Sequence, residues 1–416
     1  MRSLSSGLKR QNNRVNSAGS LNTWSANSLS SAIIVGILLA CTPQFWAVAV
    51  LHSIILLTAG AWLLLCPSAK MPSVLCSVLV SVISVWGWAQ LAWFGSSARS
   101  LTRTVAIEWT VTGIAFYLAT QLLRRKEVRN TFLAIILWAS AIFSILAILQ
   151  MYSSPNQVLW LFPAQQFSVG TFLYKNQFVA MSELAMPIAL YWILFKKENR
   201  PAGIFTGLSL FAGAIASGSR AGASLVLLEC FVAMLLAYRD KKLNLLYLLV
   251  TVPVVAVVLG STAYVAGNEG VWTHFQEVHP DAARQELLQS TLSMYRKEPW
   301  SGYGLGAWPT VYPQYATFDV GRVANAAHND WAEWGAEGGI VFVGSIFVLC
   351  LIAIRPAIKS IWGLGVIAIM LHSWVDYPTR EPVLCILWFC MMGALLSSKK
   401  KFSQKVHSPQ SSSTIS

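Results

Sequence analysis

Apolar runs close to the ~20 residues that carry an α-helix across ~30 Å of hydrocarbon recur along nearly the whole chain. Twelve can be drawn, centred near residues 37, 56, 82, 114, 141, 185, 209, 230, 254, 347, 368 and 390. The first and seventh are short, and residues 31–66 also suit a single re-entrant pair, so the pattern predicts ten to twelve membrane helices. One long polar excursion, residues 267–337, interrupts the series. Connections longer than ~15 residues without a span of their own are usually functional or disordered. This one carries helix and turn signals, which predict a folded segment. The resulting organisation is a basic N-terminal tail (1–29), spans one to nine (30–266), the polar loop (267–337), spans ten to twelve (338–398) and a basic C-terminal tail (399–416).

Composition agrees with an all-α polytopic membrane protein. Of the 416 residues, 55% are hydrophobic and 11% charged, against roughly 25% charged in soluble globular chains. The net charge of +13 forms no single patch, so nucleic acid is not an expected partner. The basic residues instead alternate with the spans. Twenty-one of the 30 Lys and Arg fall on one side, which the positive-inside rule assigns to the cytoplasm together with both termini. Arg99, Arg103, Lys175, Arg220, the polar loop and the segment Asp376 to Glu381 are then external. The tails are rich in Ser and basic residues, a composition that predicts disorder, and no cleaved leader is expected. The seven cysteines lie in or beside apolar runs without CxxC spacing and read as packing residues.

Five segments carry groups capable of chemistry. Ser217-Gly218-Ser219-Arg220-Ala221-Gly222 ends the seventh span, where an Arg either snorkels or meets an anion. In the polar loop, Pro280-Asp281 starts a helix with Asp281 as cap and an apolar stripe of Leu287, Leu288, Leu292 and Tyr295, suited to a membrane surface. Arg284 occupies its first turn, an unfavourable place for a cation unless an anion is near. A solvated Arg284 offset by Glu286 and Asp281 fits equally. Pro299-Trp300-Ser301-Gly302-Tyr303-Gly304-Leu305-Gly306 has the wrong glycine spacing for a nucleotide loop and reads as structural turns. His328, flanked by Asn329 and Asp330 and followed by Glu333 and Glu337, can act as a base near neutral pH with a carboxylate fixing its tautomer. A surface His is the plainer reading. Zinc is disfavoured, because His274, His279 and His328 lack a compact ligand pattern. Last, His372 and Asp376 stand four apart, so one helix face can hold both; mutual pairing in support of the site is expected.

Taken in order, these pieces resemble the O-antigen ligase and polymerase superfamily. Gly170-Thr171-Phe172 with Lys175-Asn176-Gln177-Phe178 and Pro187, the Ser217 to Gly222 turn, Arg284 followed by Pro299 and Gly302, Gly304 and Gly306, Ala327-His328-Asn329-Asp330, and His372 to Pro382 match its motifs across residues 160–395. Ala326-Ala327 stands where many members have a further His, which puts any dual-His role in question. The resemblance implies a GT-C-like helical bundle with one large, mostly helical periplasmic loop, in a bacterial inner membrane. It implies metal-independent, inverting transfer of a glycan from undecaprenyl diphosphate to an acceptor hydroxyl, on lipid A-core or another glycan, without a cofactor. By the same resemblance Arg220 and Arg284 bind the diphosphate, His328 is the base, and Asn329, Asp330, His372 and Asp376 support it.

Two other readings remain open at this stage. A polymerase extending the lipid-linked glycan would share the motifs. A transporter or flippase is compatible with twelve spans, but usually shows two related halves and midplane sites. No half-repeat is visible, and His52, Glu183 and Glu229 are scattered. A non-catalytic scaffold would leave the Arg and His residues dispensable.

Overall fold

A computed structural model describes residues 23–42, 44–65, 72–163, 168–243, 281–317 and 324–397. The chain folds as helices α1 (Thr23–Leu39), α2 (Phe45–Leu65), α3 (Val74–Ala89), α4 (Arg99–Leu122), α5 (Lys126–Ser153), α6 (Lys175–Phe195), α7 (Arg200–Ala216) and α8 (Arg220–Arg239). The loop contributes α9 (Asp281–Lys297) and the short α10 (Trp308–Val311), followed by α11 (Asp330–Ser360), α12 (Leu364–His372) and α13 (Pro382–Ser397). A two-residue antiparallel ribbon, Gln157–Val158 with Phe162–Pro163, precedes α6. Helices are the expected solution, since each satisfies its own backbone polar groups where water is absent.

Eleven of the twelve predicted centres fall in helices, and the one near residue 254 lies outside the described residues. Among the described residues, six helices are long and apolar enough to cross a membrane: α2, α3 with its extension to Phe94, α5, α6, α8 and α11. The segment near 368 departs from expectation. α12 has nine residues, about 13 Å of helix, too short to span. Ile361 in the left-handed region (φ 54°) and the turn through Gly363 delay its start, and a turn at Ser373 ends it.

Two helices form the centre. Val383 to Leu395 of α13 are buried on every side, the behaviour of a helix that is apolar all round, and so are Asn176 to Ala189 of α6, which carries Asn176, Gln177, Ser182 and Glu183 inward with it. α13 packs on α4, and α6 is embraced by α5, α7, α8 and α12. Small residues allow the close approaches: a Cβ on Gly222 would come within 2.0 Å of Val179, and one on Gly365 within 2.6 Å of the Glu183 carbonyl.

The polar loop is clamped onto α11. That helix breaks at Gly339 (φ 67°, ψ −175°), and the turn 299–306 fills the break. Ile340 N–H donates to the Pro299 carbonyl at 2.8 Å, Gly304 N–H to the Glu337 carbonyl at 2.9 Å and Tyr303 N–H to the Ala336 carbonyl at 3.0 Å. Gly302, Gly304 and Gly306 all have positive φ, so the glycine-rich segment is a structural turn, as read from its spacing. The Glu337 carboxylate accepts from Gly306 N–H and Trp308 N–H at 2.8 and 2.9 Å. A π-helical turn, Gln90–Phe94, ends α3 and rotates Gln90 inward. Its buried amide donates to the carbonyls of Ser301 and Glu337 and accepts from Leu305 N–H.

α9 buries Glu286, Leu287, Ser290, Thr291 and Met294, while Leu288 and Leu292 are half-buried. The buried face is therefore rotated from the predicted stripe, because the helix docks on α11 and on Trp308, whose indole N–H donates to Thr291 at 2.8 Å. The side chain of Asp281, expected as a cap, lies outside the described residues.

Candidate active site

Four helix N-termini meet at one end of the bundle, and each brings a polar side chain with it. Lys175 is the first residue of α6, Arg220 the first of α8, Arg284 lies in the first turn of α9, and His328 immediately precedes Asn329, the cap of α11. Lys175 Nζ donates to the Gly218 carbonyl at 3.3 Å, next to the start of α8, and lies within charge range of both Arg220 and Arg284. Each cation sits at the positive end of a helix dipole, an arrangement that favours an anion between them. Lys175 is thus a third member of the predicted Arg220/Arg284 pair. Its signal in the sequence was the same as that of Arg284, a basic residue opening a helix.

Asp376, in the turn after α12, ties the cations to His328. Its carboxylate is buried and accepts from His328 Nδ1 at 3.3 Å and from its neighbour's N–H, Tyr377, at 3.0 Å. Asn176 Nδ2 donates to it, the Tyr174 hydroxyl stands 3.4 Å away, and Arg284 Nη2 pairs with it at 3.7 Å. Burial alone would raise the Asp376 pKa. The hydrogen bond and charge of His328, with His372 and Arg284 behind it, outweigh burial and hold the carboxyl below its ordinary range. An ionised carboxylate only accepts, so Nδ1 of His328 carries a proton and a neutral imidazole presents its lone pair at Nε2. The ring is braced edge-on against Tyr377 at 4.8 Å, which stacks on Tyr174 at 5.1 Å. Burial and the neighbouring Asp376 charge keep the Tyr174 phenol protonated well above neutral pH.

The backbone at His328 is itself constrained. Its φ of 52° is uncommon outside glycine, although His, Asn and Asp adopt it more readily than most. Both flanks are pinned: Ala327 N–H donates to Glu333 at 2.7 Å, and Asn329 caps α11 through Ala332 N–H at 2.9 Å while its amide donates to the Trp374 carbonyl at 2.8 Å.

The other predicted residues play different parts. Asp330 is turned away from His328 and accepts from Ser373, Thr379 N–H and the Thr379 hydroxyl at 3.0, 3.2 and 2.7 Å. It joins α11 to the turn after α12. The expected His372–Asp376 side-chain pair does not form. His372 Nδ1 bonds Glu183 of α6 at 2.8 Å, both fully buried. A residue ending a helix and one four positions on share a face only while the helix continues, and the turn at 373–375 swings Asp376 toward His328. Tyr174 and Gln90 were not singled out in advance, since an amide or phenol beside an apolar run carries no distinctive spacing; Asn176 entered only as part of the family-like Lys175-Asn176-Gln177-Phe178 segment, with no role of its own.

The fold is thus that of an all-helical, multi-pass membrane protein with a basic, His-containing site at one end. A family model described as O-antigen ligase matches residues 205–349, a stretch that holds Arg220, Arg284 and His328. The match supports membership of the O-antigen ligase/polymerase superfamily, whose function lies in polysaccharide biosynthesis and whose substrates are lipid-linked glycans and glycan acceptors. No curated protein matches the chain.

Proposed function

We propose that this protein transfers a glycan from a polyprenyl diphosphate carrier to an acceptor hydroxyl at the external face of the membrane. The observation that carries the reading is the shared Asp376 carboxylate, which orients His328 on one side and draws Arg284 toward the Lys175/Arg220 cluster on the other. His328 Nε2 takes the proton of the acceptor hydroxyl as its oxygen attacks the anomeric carbon. The bond from that carbon to the diphosphate breaks with its electron pair passing to the phosphate oxygen, and configuration inverts. Negative charge grows on the departing diphosphate, where preorganised guanidinium groups and helix N-termini stabilise it.

The favoured acceptor is a glycolipid such as lipid A-core, with extension of the carrier-linked glycan by a polymerase as the second reading. The test is transfer from an undecaprenyl-diphosphate-linked oligosaccharide by purified protein, with product analysis. Arg220→Ala, Arg284→Ala and His328→Asn are each expected to lose about 10²-fold or more in rate at unchanged folding. Wild-type activity in all three would overturn the assignment, and the product distinguishes ligase from polymerase.

A further inference from the structure

A second concave site lies on the far side of the turn that carries Tyr377. A cavity of about 220 Å³ opens between the α1–α2 connection, α4 and the start of α13. Its apolar wall includes Leu39, Phe45 and Leu51, and its polar wall Glu108, Arg380 and Glu381. This volume is below the ~300–1,000 Å³ of pockets for drug-sized ligands, so it suits one small unit of a larger molecule.

The electrostatics select the occupant. Arg380 is engaged elsewhere, donating to Glu333 at 3.0 Å and to the Asn325 carbonyl. That leaves the two carboxyls of Glu108 and Glu381, close enough to feel each other's charge, and no uncompensated cation among the lining residues to hold an anion. Glu108 sits midway along α4, and an acidic side chain among apolar helices is costly unless it has a task. Burial, then the Glu108 charge, push the Glu381 carboxyl up to about 8, so near neutral pH it can donate as well as accept. A phosphate finds no uncompensated cation here, while Lys175, Arg220 and Arg284 cluster at the other site, whereas hydroxyl groups are matched by carboxyls that donate and accept.

Position completes the argument. Leu173 lines the cavity and is followed by Tyr174 of the His328 site; Arg380 lines it and ends the turn that begins beside Tyr377, the ring packed on His328. The two sites share these two walls. Beyond the apolar wall, Phe45 and Trp46 are exposed on α2, a surface suited to an acyl chain.

We infer that the Glu108/Glu381 cavity binds an uncharged, hydroxyl-rich sugar of a lipid-anchored acceptor, separated by charge from the diphosphate-binding side of the site. The inference rests on the transferase reading and identifies where its acceptor is held.

The experiment measures equilibrium binding to the purified full chain in nanodiscs of alkyl-linked glucosyl, galactosyl and N-acetylglucosaminyl disaccharides, and separately of undecaprenyl diphosphate. For Glu108→Gln and Glu381→Gln, thermal unfolding is checked alongside. At least one disaccharide is expected to bind wild type and to weaken about 10-fold or more in each Gln variant, with undecaprenyl diphosphate binding unchanged. Arg220→Ala should show the converse. Unaltered saccharide binding in both Gln variants, equal loss of both ligands, or no saccharide binding to wild type would each overturn the cavity assignment. Saccharide binding without any transfer by wild type would instead count against the transferase reading and leave the cavity standing.

Discussion

Asp376 is 1% exposed and is met by His328, Arg284, Tyr174 and Asn176 at once. Asp376→Asn keeps the shape but replaces an obligate acceptor with a group that can also donate, so the His328 tautomer is no longer fixed. A rate loss of about 10²-fold or more with nearly unchanged acceptor binding is expected in steady-state kinetics. The same carboxylate has a pH signature. Its folded pKa lies below its unfolded value of about 3.9, so its contribution to stability is complete above that value and lost as pH falls through the lower folded one. Wild type should therefore lose thermal stability more steeply than Asp376→Asn below about pH 4; parallel melting curves from neutral pH to pH 3 would refute this. At His328 the conformation and the chemistry can be separated. His328→Asn keeps a residue tolerant of φ 52° and should melt near wild type while inactive, whereas His328→Ala should also lose about 1 kcal/mol of stability.

At the scale of elements, the break in α11 and the turn that fills it form one unit. A Cβ on Gly302 would lie 2.3 Å from the Glu337 carbonyl oxygen, and one on Gly339 2.1 Å from that of Trp300, both at φ 67°. Neither backbone can retreat without opening the clamp. Gly302→Ala and Gly339→Ala should each cost more than about 2 kcal/mol in thermal unfolding. Gly344→Ala, further along α11 with open space around it, should be neutral or stabilising by up to about 1 kcal/mol. Gln90→Leu tests the other hinge of the clamp. It strands the Ser301 carbonyl and Leu305 N–H, and should lower the melting temperature and loosen the 299–306 turn, read as faster amide exchange there.

For the whole molecule, the charge asymmetry and the site describe the same surface. Nine Lys and Arg remain outside the basic side of the chain, and Lys175, Arg220 and Arg284 among them converge at the site. If that end faces outward, a cysteine at exposed Trp300 should react with a membrane-impermeant maleimide in intact cells. One at Asp240, after α8 at the opposite end, should react only once the membrane is opened. The reverse pattern would invert the proposed orientation. Much of this architecture was legible in the order of residues, because hydrophobic periodicity, basic flanks and helix-opening cations are local signals set by the cost of burying backbone and charge. The helix positions, an anion near Arg220 and Arg284 and a base at His328 were read from such signals, while the diphosphate and its glycan came from the family resemblance. Which carboxylate serves which histidine did not: Asp376 rather than the adjacent Asp330 reaches His328, and Glu183, 189 positions before His372, takes the partner expected of Asp376. The short α12, the rotated face of α9 and the inward turn of Gln90 share that origin. Pairings between residues far apart in sequence depend on how helices pack, and packing is decided by shape and polar satisfaction across the assembled bundle.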